Sequence, residues 1–397
     1  MADTKTIVVV GAGFAGYWAA LAARYAAETW GEQLSIRVIN PTDYLTMRPR
    51  LYEADPATMT TPLLPLFDIV DVEWVKGWVN LIDPTNNRLT LADGTEVVYN
   101  SLVLTAGSQF SSPLIEGVKD HAHHIEDLTG AVALDQRLNQ LAVEQTPVSA
   151  VILGAGFTGI ELACEFRSRL TGLGGEVWAT NADITLVDTA DIVGKTLGNG
   201  LDDKLTTALE QWNVRVRLNT SIKKIASDHV LLEDDSRIAA NIVVACIGSK
   251  ANSLTENLKT DMQLELDDSG RLIVDEYLAI SESIFSAGDC AHALVDGEHP
   301  ALMSCQHAMP MGKFAGYNAA AALFNKPPVR YAHQSYITCL DLGPNDALVT
   351  RGFERVVEAT GKAAKQQKEY INNVLIYPQL DSRENMLATA EPVDRVY

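Results

Sequence analysis

The chain has 397 residues, which is enough for two or three domains of ordinary size. It carries 31 Lys and Arg against 51 Asp and Glu, and the resulting net charge of −20 argues against a nucleic-acid-binding protein and against attraction to an anionic membrane. Hydrophobic residues make up 47% of the chain, which indicates a folded core and excludes long disordered regions.

The first apolar stretch, residues 7–27, lies near the N-terminus and follows Lys5, as a signal peptide or a membrane anchor would. Glycines at positions 11, 13 and 16 interrupt it, and no cleavage-like pattern follows at residues 30–32. We therefore expect neither a signal peptide nor an anchor. No other stretch of the sequence is long and apolar enough to span a bilayer.

An apolar run followed by G-x-G-x-x-G occurs twice, as IVVVGAGFAG at residues 7–16 and as AVILGAGFTG at residues 150–159. Each copy predicts a strand, a glycine turn, a helix (17–28 and 160–170) and a second strand. This β-turn-α-β pattern is the fingerprint of a dinucleotide-binding unit. The first glycine permits the tight turn, the second lets the backbone approach a pyrophosphate, and the third allows close packing of helix and strand. The positive end of the helix then faces the phosphates.

The residue that follows the second strand of each unit differs between the copies. In the second copy, strand 183–187 ends at Asp188, whose carboxylate would accept hydrogen bonds from ribose hydroxyls and repel a 2′-phosphate. No Arg or Lys follows before Lys195, so the sequence predicts a preference for NADH over NADPH. In the first copy, strand 35–39 ends at Asn40, which can bond a ribose more weakly.

Similar elements follow both copies. After the first come alternating segments at 73–83 and 88–91, the hairpin signal Asp93-Gly94 and an apolar strand ending in Thr105-Ala106-Gly107. After the second come segments at 222–225 and 230–233, the polar turn 234–236 and an apolar strand ending in Ile247-Gly248. A late Gly288-Asp289 closes the series.

In this order, the motifs resemble those of the two-dinucleotide-binding-domain flavoproteins, which bind FAD in the first domain and NAD(P)H in the second. The resemblance implies an α/β fold with two Rossmann-like three-layer domains and a small C-terminal region. It places an FAD-binding domain at 1–112 and 249–325 and an NADH-binding domain at 113–248. The remaining residues, 326–397, would cover an acceptor pocket, form a dimer contact or touch a membrane weakly.

The resemblance also assigns cofactor-binding residues, with Asp289 holding the ribityl chain of FAD. The FAD set is Gly11, Gly13, Phe14, Ala15, Gly16, Asn40, Arg48, Val79, Ala106, Gly107, Gly288, Asp289, Ala308 and Met309. The NADH set is Gly154, Gly156, Phe157, Thr158, Gly159, Glu161, Asp188, Ile247 and Gly248.

Within this group the chain resembles the type II NADH dehydrogenases and their soluble relatives. The second glycine motif continues as TGIELA at 158–163, and MRPRLY at 47–52 stands where disulfide reductases carry a cysteine pair. SCQHAMP at 304–310 occupies the place of that family's A-Q-x-A-x-Q quinone motif. Gln306 matches its first glutamine, whereas Pro310 replaces the second, so we expect an altered acceptor site.

Two residues are the candidate catalytic groups, Glu161 and Gln306. The family counterpart of Glu161 lies beside the nicotinamide and the flavin, where a carboxylate orients the nicotinamide or relays protons. The alternative is a first-turn glutamate stabilised by the helix dipole. We expect a helix to open within residues 308–312, with Pro310 in its first turn and its N-terminus facing the flavin.

Other reactive side chains have simpler interpretations. Cys305 is expected to be a small buried apolar residue, and His307 a hydrogen-bonded pocket histidine. The histidines at 121, 123 and 124 have no carboxylate or cysteine partner at fixed spacing and indicate an interdomain linker. The five cysteines (Cys164, Cys246, Cys290, Cys305 and Cys339) form no C-x-x-C pair, which argues against a zinc site or a disulfide framework and favours the reducing cytoplasm. We predict no metal.

The C-terminal region contains Lys362, Lys365 and Lys368 on one helical stretch, with apolar residues after it. A weak interfacial helix is one interpretation. Because of the acidic net charge, we favour a helix packed on the protein or a dimer contact, with the lysines solvated, and we expect no membrane association.

The function implied is hydride transfer from NADH to FAD, followed by electron transfer to a quinone or another small redox-active aromatic acceptor. Two alternatives stay open. In the first alternative, the protein is a reductase for a ferredoxin-like carrier, although its acidity disfavours docking of an acidic ferredoxin. In the second, it is a non-catalytic NAD(H)-sensing flavoprotein that binds partners through a redox-dependent surface.

Overall fold

The computed structural model describes residues 4–198, 200–334 and 336–393. Its strands, in chain order, are β1 (Lys5–Val10), β2 (Leu34–Asn40), β3 (Tyr44–Thr46), β4 (Thr60–Pro62), β5 (Glu73–Lys76), β6 (Val79–Asp83), β7 (Arg88–Leu91), β8 (Glu96–Val98), β9 (Ser101–Leu104), β10 (Ser108–Phe110), β11 (His123–His124), β12 (Ser149–Leu153), β13 (Asp183–Val187), β14 (Val214–Arg217), β15 (Ile222–Ile225), β16 (His229–Leu232), β17 (Arg237–Ala239), β18 (Ile242–Ala245), β19 (Ser249–Ala251), β20 (Leu272–Ile273), β21 (Ile284–Ser286), β22 (Ala291–His292), β23 (Ile337–Asp341), β24 (Ala347–Arg351) and β25 (Val356–Thr360).

The α-helices are α1 (Phe14–Trp30), α2 (Leu64–Ile69), α3 (Val118–His121), α4 (Leu128–Val143), α5 (Phe157–Gly174), α6 (Glu176–Thr180), α7 (Asp202–Gln211), α8 (Leu254–Met262), α9 (Cys305–Phe324), α10 (Gly361–Tyr370) and α11 (Arg383–Thr389). A π-helical turn, Ile371–Leu375, continues α10.

Two parallel five-stranded sheets form the centre of the molecule. The first has the order β21-β9-β1-β2-β5, and the second has the order β11-β18-β12-β13-β14. Because β21 pairs with β9, residues far apart in sequence share the first sheet. The second sheet repeats the first, since β12, β13 and β14 stand in the places of β1, β2 and β5.

Each sheet has helices on one face and a small antiparallel sheet on the other. Alternate residues of β1 show this division, because Ile7 and Val9 pack in the core that contains α1, whereas Val8 and Val10 pack against the β6-β7-β8 sheet. In the second sheet, Val151 and Leu153 face the β15-β16-β17 sheet in the same way. The period-two burial of both strands therefore produces the three-layer α/β architecture that the resemblance implied.

Helix α9 packs so closely against α1 that the backbones of the two helices are in contact. A Cβ atom on Gly312 or Gly316 would lie 2.2 Å or 2.0 Å from the carbonyl oxygens of Ala15 and Ala19. Glycine is therefore required at both positions, which are one helical turn apart. This contact fixes the beginning of α9 beside the first glycine loop.

The C-terminal region forms a three-stranded antiparallel sheet, β23-β24-β25, followed by α10, the π-helical turn and α11. Arg383, at the start of α11, pairs with Glu28 of α1, so the end of the chain returns to the first domain. Throughout the three described ranges, every helix is too short or too polar to cross a membrane.

Candidate active site

A cavity of about 1200 Å³ lies between the first glycine loop, the beginnings of α5 and α9, and the C-terminal region. Most of the residues assigned to FAD border it, together with three of those assigned to NADH and both candidate catalytic residues. These are Gly11, Gly13, Phe14, Ala15, Asn40, Arg48, Ala106, Gly107, Gly288, Asp289, Gln306, Ala308, Met309, Phe157, Thr158 and Glu161.

The other assigned residues lie outside the cavity wall. They are Gly16, Val79, Gly154, Gly156, Gly159, Asp188, Ile247 and Gly248. Val79 belongs to β6, and its neighbour Trp78, 62% exposed, borders the cavity in its place.

The first and third glycines of the two loops have matching geometry. Gly11 has φ +97° and Gly154 has φ +103°, a left-handed conformation that favours glycine. A Cβ atom on Gly16 would lie 1.8 Å from the Gly11 oxygen, and one on Gly159 would lie 1.8 Å from the Gly154 oxygen. Glycine at the third position is thus required for the helix to meet the strand.

The second glycines have open space in front of them. A Cβ atom on Gly13 would meet nothing within 4 Å, and one on Gly156 would meet only the Thr196 hydroxyl, at 3.9 Å. Helices α1 and α5 begin directly after these glycines, and among the described residues no side chain caps either helix, so the N–H groups of their first turns stay available to a ligand. Both loops therefore fit a pyrophosphate at close range.

The polar residues after the second strands hold these loops. Asn40 Oδ1 accepts from the Ala12 N–H at 3.0 Å, and Asp188 Oδ2 accepts from the Ala155 N–H at 2.5 Å. Asn40 Nδ2 donates to Thr42, which fixes the orientation of the amide. Each side chain thus lies at the edge of its loop, where a dinucleotide carries a ribose.

Asp289 and Arg48 lie together at the wall of the first site. The Ser108 hydroxyl donates to Asp289 Oδ2 at 2.7 Å, and Arg48 Nη1 lies 3.6 Å from the same oxygen. Arg48 also pairs with Glu126 at 3.1 Å. The carboxylate is therefore partly neutralised and is available as an acceptor for sugar or ribityl hydroxyls.

Glu161 is a buried carboxylic acid at the wall of the cavity. Its side chain is almost completely buried, Oε1 lies 2.8 Å from Lys368 Nζ, and the same oxygen accepts from the Asp341 N–H at 2.9 Å. Burial raises the pKa of Glu161 to about 7, although Lys368 and the Asp341 N–H act in the opposite direction. Burial alone would lower the pKa of Lys368, but Glu161, together with Cys339 and Asp341, raises it above its ordinary value.

A second buried ion pair lies beside the first. Both oxygens of Asp341 lie 2.8 Å from Lys365 Nζ, and the Tyr52 hydroxyl donates to Asp341 Oδ2 at 2.8 Å. Burial and the neighbouring carboxylates of Glu161 and Asp341 raise the pKa of Tyr52 well above its ordinary value. Two lysines of α10 therefore balance two buried carboxylates from α5 and β23.

The prediction that the lysines of α10 are solvated was wrong for two of the three. Lys368 is buried and Lys365 is half-buried, whereas Lys362 is exposed. Their long side chains reach inward because the unpaired carboxylates of Glu161 and Asp341 would otherwise be left in the interior. The alternative of a helix packed on the protein agrees with this arrangement.

The predicted beginning of α9 was also wrong. The helix begins at Cys305, where the Ser304 carbonyl accepts from the Ala308 N–H at 2.9 Å, and Pro310 lies inside it. The Ser304 hydroxyl lies 2.9 Å from His307 Nδ1, which stabilises this earlier start. Gln306 accordingly stands in the first turn.

Neither Cys305 nor His307 has the properties of a reactive group. Burial raises the pKa of Cys305 to about 11, so the thiol stays protonated. Burial, assisted by His333, lowers the pKa of His307 to about 3, so the imidazole stays neutral. The His307 ring bonds through Nδ1 only, and its Nε2 has no hydrogen-bond partner among the described residues.

The three histidines of the linker do not converge. His123 and His124 form strand β11 at the edge of the second sheet, and His124 stacks on Phe110 at 4.4 Å. Within the described ranges, no group of three or more His, Cys, Asp or Glu side chains has an arrangement that could hold a metal ion.

Sequence reasoning missed five residues that border the cavity or hold its walls, namely Trp78, Tyr52, Asp341, Lys368 and Arg355. Most of them carry no local signal, because their contacts join distant parts of the chain. The exception is Lys368, for which the helical spacing of the lysines in α10 could have suggested a buried partner.

Comparison with known proteins agrees with this geometry. Residues 5–312 match the pyridine nucleotide-disulphide oxidoreductase family. An NADH dehydrogenase-like protein of Mycobacterium tuberculosis is 37% identical over 395 residues, which cover 97% of this chain and 98% of the relative. A type II NADH:quinone oxidoreductase of Staphylococcus aureus is 26% identical over 398 residues, which cover 94% of this chain and 96% of that protein.

Solved structures share the fold. NDH2 from Plasmodium falciparum in complex with NADH has a TM-score of 0.76 at 12% identity, with 98% of this chain and 97% of that chain covered. The sulfide:quinone oxidoreductase of Aquifex aeolicus has a TM-score of 0.75 at 17% identity, with 98% and 92% covered. The chain belongs to the pyridine nucleotide-disulphide oxidoreductase family and is an oxidoreductase whose cofactors are FAD and NADH.

Proposed function

We propose that the protein transfers the reducing equivalents of NADH to a quinone or another small redox-active aromatic acceptor. The observation that carries this proposal is one continuous cavity, which joins the first glycine loop, the beginning of α5 and an apolar mouth in the C-terminal region. The name of the Staphylococcus aureus relative, a type II NADH:quinone oxidoreductase, supports the choice of acceptor.

The residues present fit both cofactors. The first glycine loop, Asn40 and the Asp289–Arg48 pair would hold FAD, and the second glycine loop with Asp188 would hold NADH. When bound, FAD supplies the chemistry that accepts a hydride from a nicotinamide and releases electrons to an acceptor. The protein binds and orients both molecules on the two copies of one structural unit.

The mouth of the cavity suits an apolar aromatic molecule. Apolar side chains line the cavity here. They belong to Met309 near the beginning of α9, to Ile371, Leu375 and Ile376 of the C-terminal region, and to Met386 of α11. Leu375 is also 42% exposed, so apolar surface continues to the outside. Methionine side chains adapt to flat rings of different size. The C-terminal region is therefore proposed to cover an acceptor pocket.

Gln306 and Pro310 would set the choice of acceptor. The amide of Gln306 borders the cavity and can donate a hydrogen bond to a carbonyl oxygen. Pro310 has no side-chain amide and no N–H to offer. We expect short-chain or bulky aromatic quinoid compounds to be reduced, and long-tailed membrane quinones to be poor substrates.

Glu161 is proposed to supply a proton. Conversion of a quinone to a quinol takes up two electrons and two protons, whereas a hydride carries two electrons and one proton. Glu161 borders the same cavity and, with a pKa raised to about 7, holds a proton in a large fraction of molecules at neutral pH. Lys368, 2.8 Å away, stabilises the carboxylate after the proton leaves.

The test is a steady-state assay of the FAD-loaded protein with NADH and a panel of acceptors. We expect turnover with short-chain quinones that exceeds turnover with dioxygen or with a ferredoxin. Turnover with ferredoxin alone would favour the protein-carrier alternative. Rapid reduction of the bound flavin without turnover on any acceptor would favour the NAD(H)-sensing alternative. A location in the cytoplasm stays a prediction, which fractionation of cells would test.

A further inference from the structure

We propose that Arg355, in the hairpin between β24 and β25, binds the pyrophosphate of NADH from the side opposite the second glycine loop. This inference rests on the proposed placement of NADH at that loop. It adds a residue of the C-terminal region to the donor site, whereas the motifs of the sequence place that site in the second domain alone.

The position of Arg355 carries the first part of the argument. Arg355 borders the same cavity as Thr158 and Glu161 of α5. Its aliphatic side chain lies against Gly198, where an added Cβ atom would be 2.5 Å from the Arg355 Cγ. Arg355 also has φ +57°, an uncommon backbone conformation for a residue other than glycine, so the tight hairpin fixes where its side chain starts.

The segment beside Gly198 lies on the second glycine loop. The Gly194 N–H donates to the Ala155 carbonyl at 3.0 Å, and the Thr196 hydroxyl is 3.9 Å from the place of a Cβ on Gly156. Arg355 therefore adjoins the segment that covers the open space where the loop would receive a pyrophosphate. Helix α5, which is 18 residues long, begins at Phe157 directly after Gly156, and its N-terminus has no side-chain cap among the described residues, so its free N–H groups lie beside this space.

The guanidinium of Arg355 is oriented but not neutralised. It stacks over the Tyr336 ring at 4.4 Å and donates to the Thr338 hydroxyl. In the parts of the chain that the structure describes, Arg355 forms no ion pair with a carboxylate, whereas Arg48 and Lys368 on the same cavity both do. A stacked guanidinium keeps its N–H edges available, and these match two oxygens of a phosphate.

The negative net charge of the protein supports a role for Arg355 in binding an anionic ligand. The chain has a net charge of −20, which opposes the approach of an anionic dinucleotide. A positive group that pairs with no carboxylate among the described residues, placed beside the donor site, offsets that repulsion locally. A neutral quinone ring would gain little from the same charge, so the pyrophosphate is the ligand that the observations favour.

The experiment measures binding of ADP-ribose, which contains the pyrophosphate but no nicotinamide, to the FAD-loaded protein by calorimetry. Arg355→Gln should weaken this binding about tenfold, as expected for the loss of one charge-assisted hydrogen bond at a half-exposed site. Arg355→Lys should recover part of the loss. Arg351→Gln is the matched control, because Arg351 belongs to the same hairpin but pairs with Glu358. It should bind ADP-ribose like the wild type.

Each outcome separates the inference from the proposed function. Wild-type protein that does not bind ADP-ribose would remove NADH from the second glycine loop, and the inference with it. Equal binding by wild type and Arg355→Gln, with the flavin spectrum unchanged in both, would overturn the role of Arg355 and leave the donor site in place. A higher KM of Arg355→Gln for a carboxylated quinone, without weaker ADP-ribose binding, would assign Arg355 to the acceptor and also overturn the inference.

Discussion

The two glycine loops have nearly the same backbone but different surroundings. Asn40 holds the Ala12 N–H in the first loop as Asp188 holds the Ala155 N–H in the second. The third glycines are equally tight, each 1.8 Å from a carbonyl oxygen if a Cβ is added. The duplicated geometry therefore fits two pyrophosphates, and we expect the choice between FAD and NADH to depend on the side chains around each loop.

The difference is clearest at one pair of equivalent positions. Residue 18 of the first copy and residue 161 of the second are separated by the same 143 residues as the two motifs. Trp18 has Lys313 over its ring at 4.2 Å, whereas Glu161 pairs with Lys368 at 2.8 Å. The first copy thus presents an apolar aromatic wall to the cavity, and the second presents a group that can take up and release a proton.

The largest effect is expected from substitutions that compare the third glycine of the first loop, which we expect to matter for stability, with the second glycine, which we expect to matter for FAD binding. Gly16→Ala should lower the free energy of unfolding by about 3 kcal/mol, because the new methyl group would meet the backbone of Gly11. Gly13→Ala should leave the stability of the FAD-free protein within about 0.5 kcal/mol, since its Cβ meets nothing, but should weaken FAD binding. Urea unfolding and flavin titration measure both. Equal loss of stability in the two variants would contradict the division.

The glycine loops and the strands around them could be predicted from the sequence, because they depend on local sequence patterns. The predicted segments 183–187 and 88–91 coincide with β13 and β7, and the order of elements after each glycine motif was correct. The network around Glu161 was not accessible, because Asp341 and Lys368 are 180 and more residues away in sequence. The same limit explains the wrong expectation of solvated lysines, since only the folded chain shows the carboxylates that they approach.

The next prediction concerns the proton on Glu161. Burial raises its pKa from an ordinary value near 4.3 to about 7, so the folded protein binds this proton more tightly than the unfolded chain. The stability that depends on the proton is present at low pH and is lost as the pH rises to about 7. Between about pH 5 and about pH 7.5, the stability of wild type relative to Glu161→Gln should fall by on the order of 2 kcal/mol.

Urea unfolding of both proteins across this pH range provides the measurement. The double variant Glu161→Gln with Lys368→Met is the control, because it removes both charges and should be more stable than Glu161→Gln alone. A constant difference between wild type and Glu161→Gln would mean that Lys368 keeps Glu161 ionised throughout. The second copy would then lack the proton-binding group that distinguishes it from the first.

A smaller effect is expected when the second loop is made like the first. Wild type should have a higher kcat/KM for NADH than for NADPH, because the Asp188 carboxylate repels a 2′-phosphate. Asp188→Asn reproduces the residue at position 40 and can still accept from the Ala155 N–H. The preference should shrink about tenfold, as the removal of one charge repulsion predicts. A preference for NADPH in the wild type would refute the assignment of the second copy.

The smallest effect separates the two halves of the reaction. Gln306 lies in the first turn of α9, the helix that packs on α1 of the first copy, whereas the contacts proposed for NADH lie on the second copy and at Arg355. Gln306→Leu removes an amide that would donate to an acceptor carbonyl, so reoxidation by a short-chain quinone should slow about fivefold, the cost of one neutral hydrogen bond. Reduction by NADH should change little, because it uses different contacts.

Stopped-flow measurement of the two half-reactions decides between these outcomes. Asn385→Leu is a useful comparison, because Asn385 also borders the cavity but on α11, away from the first turn of α9. It should slow reoxidation less than Gln306→Leu does. If Gln306→Leu slows both half-reactions equally, Gln306 supports the fold of α9 and not the acceptor. If it slows neither, the acceptor reaches the cavity through contacts with the apolar residues of the C-terminal mouth alone, and the first copy contributes only the FAD site.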